Sequence, residues 1–492
     1  MSTHHYVACD LGAESCRVIL GTLKGENLTI EEMHRFPNRP IKVFGTLRWD
    51  VLRIFDGLKT GLRKVATQGH HIESVSTDSW GLDYVHIRSH DPMLTPPYNY
   101  RDARTEGSLK RAFAVVSPDL IYNETGIQFL PVNTLYQLLD DLEHRPELLR
   151  LSEQFLGVGD YFNYLFSGVP VAEESLASTT QLFNPKRHKW SQLLIRKMQL
   201  PARIFPRLVR SGTKLGGLLP SIADEVGLRN TQVVASCSHD TACAVAAVPA
   251  EGRNWSYNSS GTWSLVGIEV AEPTINMESR KRNFTNEMGY GGKIRFLKDL
   301  VGLWIVQECR REYAKRGQEY SYEQLTEMAM EAQPLKSLIY PNARRFWKPD
   351  NMPQKVMKYC LETDQSAPKT PGEIVRCVLE SLALLYRETL QDIATVTGHQ
   401  SKSFHIVGGG SRNRLLNQFS ANATQMPVLS GPSEATAIGN ILVQAIALGH
   451  LSSLEDLRRV VRRSFPVKVY HPRDSATWDA AYREFKRLTL KS

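Results

Sequence analysis

The sequence predicts an α/β protein built as two lobes, and three observations carry that prediction. Apolar runs of strand length alternate with helical patterns along the chain. A strand–polar turn–strand device occurs twice, once near the start of each half. Between the halves, the small-residue stretch after Asp240 ends at Pro249-Ala250-Glu251-Gly252, where the pattern breaks. The expected domains are residues 1–248 and 249–492. A chain of 492 residues is long enough for each to bury its own core.

In chain order, the first device is Tyr6-Val7-Ala8-Cys9, the turn Asp10-Leu11-Gly12-Ala13-Glu14-Ser15-Cys16-Arg17, and the apolar run Val18-Ile19-Leu20. The second is Asn254-Trp255-Ser256-Tyr257-Asn258, the turn Ser259-Ser260-Gly261-Thr262, and Trp263-Ser264-Leu265-Val266. Two copies of one device suggest an old duplication. Thr370-Pro371-Gly372-Glu373 is a capping box with proline at the first helical position. Apolar residues follow at Ile374, Val378, Leu382 and Leu385, and Gly398 ends the helix. Phe404-His405-Ile406-Val407 reads as a strand running into Gly408-Gly409-Gly410, and 415–423 and 437–448 read as helices.

Composition narrows the class. With 42% hydrophobic and 23% charged residues, the chain is neither disordered nor collagen-like. No apolar run approaches the roughly 18 residues of a membrane helix, and the first residues lack the layout of a secretory signal. A soluble, cytoplasmic protein without a membrane partner is expected. Seven scattered cysteines without CxxC or CxxH spacing give no zinc or redox pair and are read as packing. The net charge of +9 is densest at Arg458-Arg459-Val460-Val461-Arg462-Arg463. A solvated helix face is the simpler reading of that stripe, so no nucleic-acid partner is expected, and mild basicity suits an anionic substrate.

Several nucleotide motifs are missing. There is no G-x-x-x-x-G-K-[ST], and Gly408-Gly409-Gly410-Ser411-Arg412-Asn413 lacks the third glycine of a dinucleotide fingerprint. Tyr100-Arg101-Asp102 is not followed by the Asn or the Asp-Phe-Gly of a protein kinase. The turn after Asp10 can turn several N–H groups toward phosphate oxygens, or be an ordinary hairpin turn. Asp10 could hold magnesium through water. Ser259-Ser260-Gly261-Thr262 offers hydroxyls to a second phosphate, and Gly408–Gly410 either lets adenine or ribose approach the backbone or makes a plain turn. Asp240, in Ser238-His239-Asp240-Thr241, sits among Val, Ala and Cys. Partial desolvation should raise its pKa toward that of a working base, although it could instead cap the following helix. Thr77-Asp78-Ser79-Trp80-Gly81-Leu82-Asp83 is either a sugar site, with Trp80 on the ring and carboxylates on its hydroxyls, or a strand end with a packed tryptophan.

In order and spacing, these clusters resemble the FGGY carbohydrate kinases of the actin-like ATPase superfamily. The carriers are Asp10-Leu11-Gly12-Ala13, Asp78-Ser79-Trp80-Gly81-Leu82-Asp83, Tyr100-Arg101-Asp102-Ala103-Arg104, Gly126-Ile127-Gln128-Phe129-Leu130-Pro131, Ser238-His239-Asp240-Thr241, Ser259-Ser260-Gly261-Thr262, Gly302-Leu303-Trp304 and His405-Ile406-Val407-Gly408-Gly409-Gly410. The resemblance implies two actin-like, ribonuclease-H-type lobes with a central ligand cleft. The N-terminal lobe would carry the sugar and the first phosphate turn, the C-terminal lobe the adenine and ribose. It implies ATP and Mg2+ as cofactors, with Ala13, Glu14, Ser15, Cys16, Arg17, Thr262, Gln307 and Gly409 on the nucleotide and Asp10 on the metal. Gly81, His239, Asp240, Thr241 and Asp299 would contact the sugar, with Asp240 as general base. Asp299 stands where the family's Asn is expected, and Glu14 and Cys16 are unusual in the turn. The implied reaction is phosphorylation of the C1 hydroxyl of a ketose, L-rhamnulose first. L-fuculose, L-xylulose or a non-catalytic ATP-binding sensor are the alternatives, and the protein is expected to be a monomer or homodimer.

Overall fold

A computed structural model describes residues 2–89 and 91–490. The chain forms two compact units. The first comprises Met1–Pro249, Glu269–Phe296 and Ala435–Ser464, the second Ala250–Ile268, Leu297–Glu434 and Phe465–Ser492.

The first unit is built on strands β1 (Thr3–Leu11), β2 (Ser15–Lys24), β3 (Asn27–Pro37), β4 (Ser74–Ser79), β5 (Thr213–Gly217) and β6 (Gln232–Ala235), in the sheet order β5–β6–β4–β1–β2–β3. β1 pairs antiparallel with β2 and parallel with β4, and β6 continues the parallel edge. The second unit uses β7 (Trp255–Ser260), β8 (Trp263–Val270), β9 (Ile294–Val301), β10 (Ser403–Val407), β11 (Val428–Ser430) and β12 (Lys468–Tyr470), in the order β9–β8–β7–β10–β11–β12. Here β7 pairs antiparallel with β8 and parallel with β10, β10 parallel with β11, and β12 closes the edge antiparallel. The two sheets follow one plan, as the repeated strand–turn–strand device predicts.

Parallel strands are covered on both faces and read as buried apolar runs. Val7, Cys9, Leu11, Val18, Leu20 and Val75 accordingly lie in one buried cluster with Leu58 and Leu62 of the helix Val51–Ala66. The predicted long helix spans Pro371–Thr397, with the Thr370 hydroxyl accepting from Glu373 N at 3.2 Å and Gly398 left-handed at φ 73°. The two shorter helices are Arg414–Thr424 and Ala435–Ala447.

Helix Ala435–Ala447 is apolar nearly all round, yet Asn440 and Gln444 lie one turn apart on its buried face. Asn440 Nδ2 donates to Asp78 Oδ2 at 2.6 Å. Gln444 Nε2 donates to Val7 O at 3.0 Å and to Asn440 Oδ1 at 2.7 Å, while Ser74 Oγ donates to Gln444 Oε1 at 2.6 Å. These amides therefore enter the core satisfied. The same helix meets the small-residue helix Asp240–Ala246 so closely that a Cβ on Gly439 would lie 1.9 Å from Cys243 O.

Of the arginines on Leu454–Ser464, Arg458 alone departs from the expected solvated face, and Arg459, Arg462 and Arg463 keep exposed surface. Arg458 is buried and donates to Glu269 Oε2 at 2.6 Å. Arg459 and Arg463 both pair with Glu26, and Arg462 pairs with Glu455 at 2.8 Å. The positive charge of the stripe is met by carboxylates of the same unit. All seven cysteines are buried and free.

Gly439→Ala should cost about 1–3 kcal/mol of unfolding free energy, the usual range for forced overpacking. Chemical denaturation checks this, and a change under about 0.5 kcal/mol would contradict the close helix contact.

Candidate active site

In the first unit, strand register assembles a group of charges. Asp10 lies opposite Arg17 in the β1–β2 pair and beside Asp78 in the β1–β4 pair. Arg17 Nη2 donates to Asp10 Oδ2, and both side chains are largely covered. Asp78 is fully buried. Burial, Asp10 and Asp240 all push its carboxyl well above the usual range, while the Asn440 amide opposes them. Ser79 forms a parallel bridge to His239, with Ser79 N donating to Ser238 O at 2.9 Å, so the end of β4 fixes the segment entering helix Asp240–Ala246.

Asp240 is the first residue of that helix, and His239 holds the N-cap position without a side-chain bond. Thr241 N and Thr241 Oγ1 donate to Asp240 Oδ1 at 2.5 and 3.1 Å, and His239 Nε2 lies 3.4 Å from the same oxygen. Burial first, and Asp10 second, push the Asp240 carboxyl up to about 7; the Thr241 bonds and Arg295 pull the other way. The side chain still keeps 29% of its surface exposed. An enclosed but reachable carboxyl with a pKa near neutrality is suited to accepting a proton.

Buried groups distant in sequence hold the segment. Glu173 accepts from Ser238 N at 2.8 Å, Ser175 N at 2.9 Å and Ser211 Oγ at 2.5 Å, and His239 N donates to Ser175 Oγ at 3.2 Å. Arg295, fully buried, donates from Nη2 to His239 Nδ1 at 2.9 Å, pairs with Glu287 Oε2 at 3.0 Å and donates from Nε to Met288 O at 3.1 Å. The sequence reading missed Glu173, Glu287 and Arg295; each acts across more than 45 positions, and no local pattern marks it.

The first turn is shaped by Asn38. Its N donates to Glu14 O and its Nδ2 to Gly12 O, each at 2.9 Å, which occupies two turn carbonyls, while Gly12 N donates to Ser15 O at 3.1 Å. Glu14 is exposed, Ala13 and Ser15 are half-buried, and the Cys16 side chain points into the core. Any ligand contact by Cys16 is therefore through its backbone. Among the described residues, the one trio of His, Cys, Asp or Glu with ligand atoms within 4.8 Å of one another is His4, Glu73 and His450. The carboxylates near Asp10 thus form no ready-made cage. Asp10 offers hard carboxylate oxygens, which fits a divalent cation bound through water.

The stretch 77–83 resolves toward packing. Asp83 Oδ2 accepts from Trp49 Nε1 at 2.6 Å, Trp80 Nε1 at 3.0 Å and Tyr100 N at 3.1 Å, and Oδ1 accepts from Gln137 Nε2 at 3.1 Å. The ring and the carboxylate that the sugar reading would use are both buried in this network. Gly81 is half-buried, with a Cβ there falling 3.0 Å from Thr179 Oγ1. Leu82 follows at φ 81°, its carbonyl held by Thr134 Oγ1 at 2.6 Å.

In the second unit the turn after β7 and the glycines after β10 meet. A Cβ on Gly410 would lie 2.0 Å from Ser260 Oγ, and one on Gly408 3.0 Å from Ser260 O, so these two glycines serve packing. Gly409 has nothing within 4 Å of such a Cβ and is the glycine open to a ligand. The Thr262 carbonyl accepts from Gly302 N at 3.1 Å and Trp304 N at 3.2 Å, which starts helix Trp304–Lys315 beside the turn. On that helix, Gln307 has a buried Oε1 without a protein partner, an acceptor ready for a ligand donor. Asp299 is half-buried on β9.

The fold is that of a two-unit α/β protein with an enclosed carboxyl at Asp240 and a strand–turn–strand hairpin in each unit. The chain belongs to the FGGY family of carbohydrate kinases: the N-terminal domain model of that family matches residues 5–247 and the C-terminal domain model 256–448. It is 41% identical over 482 residues to a rhamnulokinase of Bacteroides thetaiotaomicron, covering 98% of this chain and 99% of that protein. It is 39% identical over 486 residues to a rhamnulokinase of Ligilactobacillus salivarius, covering 99% of each. Among solved structures, a xylulose kinase from Lactobacillus acidophilus shares the fold at TM-score 0.83 with 15% identity, covering 99% of this chain and 98% of that one. Plasmodium falciparum glycerol kinase, solved with ADP, does so at TM-score 0.80 with 13% identity over the same shares.

Gly410→Ala should lower the melting temperature, because its Cβ meets Ser260. Gly409→Ala should leave it unchanged and weaken nucleotide binding. Equal melting temperatures for the two variants would overturn the separate roles of these glycines.

Proposed function

We propose that this carbohydrate kinase transfers the γ-phosphoryl group of ATP to the C1 hydroxyl of L-rhamnulose, giving L-rhamnulose 1-phosphate and ADP. The observation that carries the reading is the 37–41% identity to proteins named rhamnulokinase, sustained over 94–99% of the chain. Asp240 supplies the chemistry the reading requires.

Asp240 acts as the general base. Thr241 N and Thr241 Oγ1 both donate to Oδ1, and we assign the substrate hydroxyl to Oδ2. As the C1 oxygen attacks the γ-phosphorus, its proton passes to Oδ2, the bond from the γ-phosphorus to the bridging oxygen breaks, and ADP leaves. The transition state of such a transfer is loose, so alignment and charge neutralisation contribute most of the acceleration. Amides of residues 13–17, with Thr262, Gln307 and Gly409, hold the nucleotide; Gly81, His239, Thr241 and Asp299 hold the ketose. A divalent cation, magnesium in the ordinary case, offsets phosphate charge when bound, and Asp10 is the residue that would hold it. A carboxyl near neutrality also argues against a pure ATP-binding sensor, which has no use for a base at that position. The use of ATP as phosphoryl donor supports a cytoplasmic location.

The test is ADP release from Mg·ATP with L-rhamnulose, L-fuculose, L-xylulose, L-ribulose and glycerol in parallel, for the wild type and Asp240→Asn. L-Rhamnulose should give the highest kcat/KM. Asp240→Asn should bind ATP unchanged yet lose about 10²-fold or more in kcat. Preference for another ketose would move the substrate, and wild-type turnover by Asp240→Asn would remove it as base.

A further inference from the structure

Arg295 and Glu287 form a buried ion pair immediately behind the His239–Asp240 segment, and the reaction as described gives them no part. Their geometry has a consequence for His239. A guanidinium has only donors, so at 2.9 Å from Arg295 Nη2 the His239 Nδ1 must present its lone pair. Nη2 donates to Nδ1 and also lies 3.0 Å from Glu287 Oε2, an ion pair without a hydrogen bond.

The alternatives fit worse. A proton on Nδ1 could reach only Glu287 Oε2, at 3.5 Å, and would collide with the arginine proton at the shorter distance. An imidazolium would place two cations side by side away from water; burial and Arg295 hold the His239 pKa well below its usual value. The neutral ring with its proton on Nε2 remains. Nε2 lies 3.4 Å from Asp240 Oδ1. The ring is fixed on the other side by its backbone, through His239 N on Ser175 Oγ and Ser238 N on Glu173.

We propose that Glu287 and Arg295 are positioning residues for His239. They form a buried chain that locks His239 in the Nε2–H tautomer, so that it donates to Asp240 Oδ1 and keeps Oδ2 directed at the substrate hydroxyl. The proposal rests on the reading of Asp240 as the base. Each group in the chain has a distinct task. Glu287 neutralises and orients the guanidinium, and Arg295 dictates which imidazole nitrogen is bare. His239 converts that choice into a donor on one carboxylate oxygen. The same chain keeps a positive charge near Asp240 without placing it in contact with the carboxylate, so Asp240 remains basic enough to take a proton.

The experiment combines nitrogen-15 NMR of the histidine-labelled full-length protein with steady-state kinetics. In the wild type, the His239 signals should report a bare Nδ1 and a protonated Nε2, unchanged between about pH 6 and 8. The signal is assigned by its loss in His239→Gln. Arg295→Met, and Glu287→Gln combined with Arg295→Met so that no lone charge is left buried, should release the tautomer. They should lower kcat about tenfold or more while changing KM for the ketose by less than about threefold. His239→Gln, whose amide nitrogen can stand in for Nε2–H, should retain more kcat than His239→Asn, whose amide reaches only the Nδ1 position.

A protonated Nδ1 in the wild type would overturn the proposal. So would full kcat in a folded double variant, or a loss confined to KM, which would make His239 a substrate contact alone. Because the tautomer is read without turnover, it stands or falls separately from the base. If Asp240→Asn kept activity while the Nε2–H tautomer was observed, the reading of the base would fail and the buried chain would remain.

Discussion

The electrostatics of the first unit turn on one buried carboxylate, Asp10, at the end of β1. It is 5% exposed and paired with Arg17, and its charge raises the pKa of both Asp78 and Asp240. Strand register puts it there. The antiparallel pairing sets Asp10 against Arg17, and the parallel pairing sets it against Asp78. A slip of one residue would turn Asp10 to the opposite face of the sheet and dissolve the group. The amide pair Asn440 and Gln444 secures the arrangement from the covering helix, because Asn440 bonds Asp78 and Gln444 bonds β1 itself.

Both units repeat one sheet plan but put its turn to different use. In the first, Asn38 ties down two carbonyls of the β1–β2 turn, Glu14 O and Gly12 O. In the second, the β7–β8 turn is braced by Gly408 and Gly410 against Ser260, and Gly302 passes so close that its Cβ would lie 2.6 Å from the Trp263 carbonyl carbon. Close backbone approach is what selects these glycines. Beside this braced turn Gly409 stays open, and Gln307 Oε1 is buried without a protein partner.

The sequence made legible whatever depends on neighbours along the chain. The capping box at Thr370–Glu373 marks its helix because both bonds lie within four residues, and the two strand–turn–strand devices are visible because each is one hairpin. The resemblance to FGGY kinases pointed to Asp240, whose carboxyl proves enclosed and displaced toward neutrality. What stayed hidden depends on distant contacts. Arg295 meets His239 across 56 positions, and Glu173 meets Ser238 across 65. The same limit hid the burial of Arg458, whose partner Glu269 arrives from elsewhere in the chain, and left the stretch 77–83 undecided until the indoles of Trp49 and Trp80 are seen on Asp83.

These relations make Asp240 a base tuned by its surroundings. Desolvation raises its pKa, Asp10 raises it further, and the Thr241 bonds and Arg295 restrain it at about 7. Because the base must be ionised to accept a proton, activity falls as pH drops through that value. The most direct measurement is the pH dependence of kcat/KM for the ketose, in the wild type and in Asp10→Asn. The account predicts an acid limb of one proton at about 7 in the wild type, displaced to lower pH in Asp10→Asn because the neighbouring negative charge is gone. An acid limb near the ordinary carboxylate value of about 4, or one that Asp10→Asn leaves in place, would contradict it.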